Sequence, residues 1–278
     1  MKKILVTGGA GFVGTNLIKR LIKEGHDVSS IDNYSTGLKS NHIEGCNYIK
    51  ANIYNFDWRN EIYDVIFHMA AVARIQPSFK NPKEYFYVNA NGTLNIVEYC
   101  SKNNIPLIYA GSSSHHSGKF KNPYTFSKDI GEEIIELYQK HFNLQSSIVR
   151  FYNVYGPGEE RKGKMASVAY QAWKLGSFRI FPKKATRDFV YVKDIVSATI
   201  YPLFNNVEPG VYDVGCGESR LFEDVLDLME IPYEYTSNYE IPDWYQFYTK
   251  SDKSKWIPGW KPEYNLESGI KDYKEYLK

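Results

Sequence analysis

The chain has 278 residues, a formal net charge of +2, 43% hydrophobic residues and 24% charged residues. This composition supports a large buried core and argues against disorder, and the length suits one large α/β domain or a domain with a smaller lobe. A near-neutral charge without a long basic run argues against nucleic acid as a partner, and no stretch approaches the apolar length of a membrane span.

Strands and helices alternate along the predicted first half of the chain. Short apolar runs predict strands at 4–6, 28–31, 47–50, 64–67, 106–110 and 147–150. Helical spacing predicts helices around 17–22, from 82 to about 103, and from 124 to 141. Such alternation is typical of a parallel sheet covered by helices on both faces. After residue 158 the segments shorten and aromatic residues become denser, which indicates a smaller lobe.

A glycine-rich turn directly follows the first predicted strand. The run Gly8-Gly9-Ala10-Gly11-Phe12-Val13-Gly14 satisfies both G-x-x-G-x-x-G and G-x-G-x-x-G, and it opens a predicted helix. Glycine lets the backbone turn tightly and approach a pyrophosphate, which the helix N-terminus then binds. This strand–turn–helix context separates a dinucleotide site from an ordinary glycine turn.

Asp32 ends the second predicted strand, about 20 residues after the glycines, where a carboxylate binds ribose in dinucleotide sites. A carboxylate repels the 2′-phosphate of NADP, so Asp32 favours NAD. Lys39 nearby could neutralise that phosphate, which leaves NADP open, although an ordinary exposed lysine is the simpler interpretation.

Tyr124 and Lys128 lie four residues apart on a predicted helix and therefore share one face. A neighbouring ammonium lowers a tyrosine pKa, so this tyrosine could accept a proton from a sugar hydroxyl. The pattern is common by chance. Its weight comes from Ser112-Ser113-Ser114, which follows a strand ending near Ala110, at the sheet edge that opens onto the ligand crevice.

The sequence resembles the extended short-chain dehydrogenase/reductase family, the NAD-dependent nucleotide-sugar epimerases and dehydratases. The resemblance covers nearly the whole chain and implies an α/β, doubly wound parallel sheet of the Rossmann type with a smaller C-terminal substrate-binding lobe. The matching segments are residues 7–14, 32–33, 67–71, Asn89 with 92–93, 112–113, 124–128, 150–157 and 187–192.

The resemblance implies roles for these residues. Tyr124 would be the base, Ser113 its partner, and Lys128 would also hold the nicotinamide ribose. With the glycine motif, it predicts cofactor contacts from Gly8, Gly11, Phe12, Val13, Gly14, Asp32, Asn33, Lys39, Asn52, Met69, Ala70, Ala71, Asn89, Tyr124 and Lys128. It predicts substrate contacts from Ser113, Asn153, Arg187 and Tyr245.

Two subgroups of the family match different halves. The second half is similar to the ADP-glyceromannoheptose 6-epimerases, through residues 150–157, 162–170, 187–192 and 245–246. In that subgroup a lysine at the position of Lys162 is a second acid/base. A phosphate-binding or solvated lysine fits Lys162 equally well. The first half is similar to the UDP-hexose 4-epimerases, through 32–37 and 89–95.

Several positions depart from the family pattern. The dehydratases carry Asp-Glu after the catalytic Ser or Thr, whereas here Ser114 and His115 follow Ser113, which disfavours elimination. His115 and His116 could act as acid/base groups, but pocket-lining residues are the simpler interpretation. The loop from Gly118 to Tyr124 is short, and residues 181–186 replace a glycine-containing turn. Asn52 stands where many relatives have an aspartate that faces adenine.

These observations predict a dinucleotide-binding domain over residues 1–154 and mainly a substrate-binding lobe over 155–278, with some chain returning to the first domain. The predicted function is a nucleotide-sugar epimerase that transiently oxidises a sugar hydroxyl. A net dehydrogenase or reductase and a non-catalytic cofactor-binding protein are the alternatives. The family also implies a homodimer through helices 82–103 and 124–141.

The cysteines bear on the compartment. Cys46, Cys100 and Cys216 are odd in number and far apart, so they fit neither a disulfide framework nor a zinc site. The apolar N-terminus runs into glycines at once, unlike a signal peptide. We therefore expect free thiols, no metal site and a cytoplasmic location.

Overall fold

The computed structural model describes residues 1–58, 61–180, 184–236 and 240–278, with only the backbone at residue 161. These residues form two compact units. The first unit contains Met1–Arg150 and Asn206–Tyr212, and the second contains Phe151–Asn205 and Asp213–Lys278. The assignment of dinucleotide binding to residues 1–154 and of substrate binding to the rest stays a prediction. No helix in the described ranges is long and apolar enough to cross a membrane.

The strands follow the predicted order in the first half of the chain. They are β1 (Lys3–Thr7), β2 (Asp27–Asp32), β3 (Cys46–Lys50), β4 (Val65–His68), β5 (Leu107–Ser112), β6 (Ser146–Phe151), β7 (Asn153–Tyr155), β8 (Phe178–Ile180), β9 (Thr186–Arg187), β10 (Phe189–Tyr191), β11 (Gly210–Val214), β12 (Arg220–Leu221) and β13 (Tyr233–Tyr235).

The helices alternate with these strands. They are α1 (Phe12–Lys23), α2 (Ile75–Ser78), α3 (Pro82–Tyr85), α4 (Gly92–Asn103), α5 (Pro123–Phe142), α6 (Val168–Leu175), α7 (Val192–Phe204), α8 (Phe222–Met229) and α9 (Leu266–Leu277).

A seven-stranded sheet organises the first unit, in the order β11-β6-β5-β4-β1-β2-β3. The pairs β1–β2, β2–β3, β1–β4 and β4–β5 are parallel. The chain runs outward from β1 in both directions, which confirms the predicted doubly wound α/β fold. Ile4, Leu5 and Val6 of β1 are fully buried because both faces of the sheet are covered. In such sheets the ligand crevice opens at the carboxyl ends of the strands, where the order reverses.

The long helix predicted from 82 to about 103 is helical throughout, but not as one α-helix. A π-helical turn, Phe86–Asn91, separates α3 from α4. This extra residue per turn places the Asn89 side chain inward, at 1% exposure. Such bulges often mark functional sites, and no hydrophobic periodicity in the sequence distinguishes them from regular helix.

The second unit has its own core, built largely from tyrosines. Tyr155, Tyr191 and Tyr273 are at most 2% exposed and pack with helices α6, α8 and α9. Its strands pair in twos: β7 with β10 and β8 with β13 in parallel, and β9 with β12 antiparallel. These short pairs account for the shortened segments after residue 158.

Candidate active site

The glycine-rich turn between β1 and α1 requires glycine at specific positions. Gly8 has φ +72°, and a Cβ there would lie 2.7 Å from Cα of Ala70. A Cβ on Gly14 would lie 2.2 Å from the carbonyl oxygen of Gly8. Gly11 occupies the N-cap position of α1 and has no side chain, so its backbone and the free amides of the first turn face outward. This is the geometry of a phosphate-binding helix N-terminus.

Asp32 is fixed beside that turn at the end of β2. Its Oδ2 accepts a hydrogen bond from the amide of Ala10 at 2.9 Å, and its Oδ1 accepts one from the amide of Tyr34 at 2.8 Å. The residue is 8% exposed. Each carboxylate oxygen keeps a further lone pair, so the orientation is set without using up the acceptor capacity that a ribose diol needs.

Two predicted cofactor residues next to Asp32 form a pair. Asn33 Nδ2 donates to Asn52 Oδ1 at 2.8 Å. Lys39 is exposed at the start of a short 3₁₀ turn, consistent with the interpretation as an ordinary surface lysine. Phe12, Val13, Met69, Ala70 and Ala71 are half-buried around the glycine turn and the end of β4.

A buried polar chain runs beneath the site from β1 to the π-helical turn. His68 Nδ1 lies 2.8 Å from Thr7 Oγ1, and its Nε2 lies 3.1 Å from Thr93 Oγ1. Burial, with a smaller contribution from Lys128, holds the pKa of His68 well below its ordinary value. His68 is therefore a neutral structural group. Thr7 Oγ1 also accepts from the Ala70 amide at 3.2 Å, which fixes the segment after β4.

Asn89 acts through the backbone rather than as an open ligand group. Its Nδ2 donates to the Val72 carbonyl and to Ser127 Oγ, both at 3.0 Å, and its Oδ1 accepts from the Val72 amide at 2.8 Å. Ser127 in turn donates to the Tyr124 carbonyl. The predicted cofactor residue Asn89 thus ties the 70–72 segment to the helix that carries Tyr124.

The N-terminus of α5 positions Tyr124 in the first helical turn. Asn122 Oδ1 accepts from the Thr125 amide at 2.8 Å, and Pro123 occupies the first helical position. The pKa of Tyr124 is raised, chiefly by burial, while a hydrogen bond to Ser112 and the charge of Arg74 act in the lowering direction. The predicted lowering of this pKa is therefore wrong for the free protein, because burial of the phenolate outweighs the cations near it.

Ser112, not Ser113, is the serine that the structure brings to the Tyr124 hydroxyl. β5 continues to Ser112, two residues beyond the predicted strand end, and Ser113 begins a 3₁₀ turn. Ser112 Oγ also lies 3.0 Å from Ser114 Oγ. The sequence could not choose among three consecutive serines. With Ser112 in this place, the next two residues are Ser113 and Ser114, so the Asp-Glu pair of dehydratases is still absent from the sequence.

Lys128 lies one turn after Tyr124 on α5 and is 3% exposed. Its ammonium lies 4.0 Å from the centre of the Tyr109 ring, and none of the described residues accepts a hydrogen bond from it. Burial lowers the pKa of Lys128 to about 7, against the raising effect of Glu132 and Asp129. A buried ammonium without an acceptor is costly, which indicates a group kept for a ligand.

An acidic cluster flanks Lys128 on α5. His115 Nδ1 lies 2.9 Å from Asp129 Oδ1, and ligand atoms of these two and of Glu132 lie within 4.8 Å of one another. Arg150 binds Glu132, with its Nε 3.0 Å from Oε2 and 3.3 Å from Oε1. The Glu132 carboxylate is thus already neutralised. The cluster stabilises the charge of Lys128, and nothing in this arrangement requires a metal.

The predicted substrate residues of the second unit are each held by neighbours within that unit. Asn153 Oδ1 accepts from Thr249 Oγ1 at 3.1 Å. The Arg187 guanidinium lies 5.2 Å from the Tyr245 ring centre and 5.6 Å from that of Phe222. Burial lowers the pKa of Arg187, while Tyr245 raises it. Residues 181–183 of the departing turn lie outside the described residues.

Lys162 forms an ion pair with a fully buried carboxylate. Its Nζ lies 3.7 Å from Glu159 Oε2, and the Lys162 side chain is 24% exposed. Glu159 also accepts hydrogen bonds from the Gly156 amide and from the amide and hydroxyl of Ser167. The pair fixes the lysine and favours its charged form. The geometry fits both a proton donor and a phosphate ligand.

The first unit fits a dinucleotide on structural grounds. The cradle leaves no room for side chains at Gly8 and Gly14, Asp32 keeps acceptor capacity, and the Lys128 ammonium lacks a protein acceptor.

Comparison with known proteins agrees with this geometry. Residues 4–215 match the family described as the NAD dependent epimerase/dehydratase family. The chain belongs to the NAD-dependent epimerase/dehydratase family. A Methanocaldococcus jannaschii protein provisionally named a UDP-glucose 4-epimerase is 32% identical over 99% of this chain and 98% of its own length. The ADP-L-glycero-D-manno-heptose-6-epimerase of Brachyspira hyodysenteriae is 31% identical over 99% of this chain and 97% of its own.

A solved structure gives the same picture. The UDP-glucose 4-epimerase of Thermotoga maritima, crystallised with UDP-glucose, superposes with a TM-score of 0.86 at 25% identity, covering 99% of this chain and 98% of that one. The family confirms the predicted enzyme class and the predicted cofactor NAD. Because 4- and 6-epimerases are similar to the chain at nearly equal identity, membership leaves the sugar open.

Proposed function

We propose that this chain inverts one carbon of a nucleotide-bound sugar by oxidising a hydroxyl to a ketone and reducing it again, in the manner of an ADP-glyceromannoheptose 6-epimerase. The observation that carries the proposal is the arrangement on α5 and β5: Tyr124 with its hydroxyl at Ser112, and the acceptor-free ammonium of Lys128 one turn away.

Each group has a proposed part. Tyr124 removes the proton from the sugar hydroxyl, and Ser112 hydrogen-bonds the same oxygen, which keeps it aligned. Lys128 holds the nicotinamide ribose and supplies positive charge near the phenol. NAD, when bound, accepts and returns the hydride, and its charged oxidised form favours the phenolate over the raised pKa of the free protein. Ser113 remains a candidate substrate contact beside Ser112.

The second unit supplies the substrate contacts in this proposal. Arg187, Tyr245 and Asn153 would bind the nucleotide and diphosphate, as expected from the family pattern. Lys162, kept charged by Glu159, would give a proton to the ketone oxygen from the second side. A UDP-hexose 4-epimerase is the second candidate, since the M. jannaschii relative and the T. maritima structure carry that name. In that reaction Tyr124 alone suffices.

The deciding experiment offers the protein NAD+ with ADP-heptose, UDP-hexoses and GDP-hexoses in turn. Sugar NMR follows the stereocentre, and absorbance follows reduced nicotinamide. Inversion of ADP-heptose without net cofactor reduction supports the proposal, and inversion of a UDP-hexose supports the second candidate. Net reduction with a ketosugar product would show a dehydrogenase instead. No conversion of any sugar would leave a cofactor-binding protein.

We also propose a homodimer, in which α4 and α5 pair across the axis. Leu94 on α4 is 36% exposed, and Leu137 on α5 is 52% exposed. Light scattering at micromolar concentration should give twice the chain mass. Monomer alone would refute this. Cys46, Cys100 and Cys216 are all free thiols, which supports a proposed cytoplasmic location.

A further inference from the structure

The ends of β2 and β3 place two asparagines beside the ribose-binding carboxylate. β2 and β3 are parallel, with Asp32 opposite Lys50, and the Ala51 amide donates to the Asp32 carbonyl at 3.2 Å. Asn33 and Asn52 therefore lie at the carboxyl edge, next to Asp32. Since Asp32 takes the ribose of the adenosine half, the base on that ribose must lie against these strand ends.

Hydrogen bonds fix which way each amide points. The Ser35 amide donates to Asn33 Oδ1 at 2.9 Å, so the other terminal atom of Asn33 is its NH₂ group. That NH₂ donates to Asn52 at 2.8 Å, so the atom that Asn52 turns toward Asn33 is its oxygen. The Asn52 NH₂ is left over, and no described residue accepts from it. Asn52 is half-buried, and it presents a donor to the base pocket.

A donor at this position is the wrong partner for adenine's exocyclic group. The 6-amino group of adenine is itself a donor, whereas a 6-oxo purine presents an acceptor there. An aspartate at this position would offer acceptors only and would match adenine. Substituting asparagine while one neighbour occupies its oxygen reverses the polarity of the group that reads the base.

We propose that Asn52, held by Asn33, reads the 6-position of the cofactor's purine as a hydrogen-bond donor. The site therefore binds nicotinamide hypoxanthine dinucleotide more tightly than NAD. The inference rests on the proposed dinucleotide site but not on the sugar or on epimerisation. One hydrogen bond gained against one donor–donor mismatch corresponds to a ratio of dissociation constants of about fivefold.

The test is isothermal titration of the full chain, freed of copurified cofactor, with NAD+ and with nicotinamide hypoxanthine dinucleotide. The wild type should favour the hypoxanthine form about fivefold. Asn52→Asp, which still accepts from Asn33, should favour NAD+. Asn33→Asp should shift the preference toward NAD+ as well, because the new carboxylate accepts from the Asn52 NH₂ and frees its oxygen for adenine.

Asn47→Asp is the matched control. It introduces the same charge on β3, at an exposed position away from the carboxyl edge, and should leave the ratio unchanged. A wild type that prefers NAD+, or a ratio that Asn52→Asp does not move, overturns the proposal while leaving the epimerase intact. Binding of neither dinucleotide overturns the cofactor site itself. Circular dichroism of each variant checks that the fold is retained.

Discussion

The two units hold their functional side chains in opposite ways. In the first unit the key groups keep unused capacity: the Lys128 ammonium has no acceptor among the described residues, and the Asn52 NH₂ has none either. In the second unit Arg187 lies between two aromatic rings and Lys162 is paired with Glu159. The first unit therefore stores binding capacity for a ligand, whereas the second stores rigidity. Variants of the first should change kcat and cofactor binding, and variants of the second should change KM.

The largest effect should come from Tyr124→Phe. Losing the proton acceptor should reduce kcat about a thousandfold, since general base catalysis contributes on that order. NAD+ binding measured by titration should change little, because the ring remains. Tyr87→Phe, at a half-exposed tyrosine before α4, serves as the control and should keep full activity. Wild-type turnover by Tyr124→Phe would remove the catalytic role and favour the cofactor-binding alternative.

The second test compares adjacent serines. Ser112→Ala should reduce kcat about thirtyfold, because a hydrogen bond to a developing charge is lost from the Tyr124 pair. Ser113→Ala should have a smaller effect, expressed mainly in KM. Steady-state kinetics with the substrate identified by NMR measures both. The reverse ranking would restore Ser113 as the partner of the base.

A third variant tests whether rigidity in the second unit serves the substrate. Arg187→Lys keeps the charge but loses the planar contact with Tyr245 and Phe222, so KM should rise about tenfold with kcat nearly unchanged. Arg179→Lys, at an exposed pair with Glu234, is the control. A fall in kcat with constant KM would place Arg187 in the chemical step and blur the contrast between the units.

The smallest effect concerns stability. Below pH 7 Lys128 is charged in both the folded and the unfolded chain, so burying it costs stability in full. Between its folded pKa of about 7 and its ordinary value of 10.5, the folded chain loses the proton first and stability rises with pH. Lys128→Met should raise Tm at pH 6 by about 5 °C, and by less at pH 9.

Differential scanning fluorimetry at both pH values measures this, with exposed Lys140→Met on the same helix as the control. An unchanged or lower Tm for Lys128→Met at pH 6 would show that the acidic cluster compensates the burial fully. The stored capacity of the first unit would then have no measurable cost.

The amino-acid sequence alone determined the doubly wound sheet, the glycine turn, Asp32 and the Tyr124–Lys128 pair. These depend on local requirements: alternating apolar runs, a backbone that tolerates only glycine at Gly8, and a four-residue helical spacing. Its prediction of a lowered Tyr124 pKa was wrong, because the amount of burial is not encoded in neighbouring residues.

Tertiary structure alone decided which of three serines meets Tyr124, that Asn89 lies in a π-helical turn, and that Asn33 fixes the orientation of Asn52. Each of these depends on contacts between segments far apart in the chain. A strand that extends two residues further, or one added residue in a helical turn, changes which side chain faces the site without changing any local pattern. Packing, rather than propensity, sets those positions.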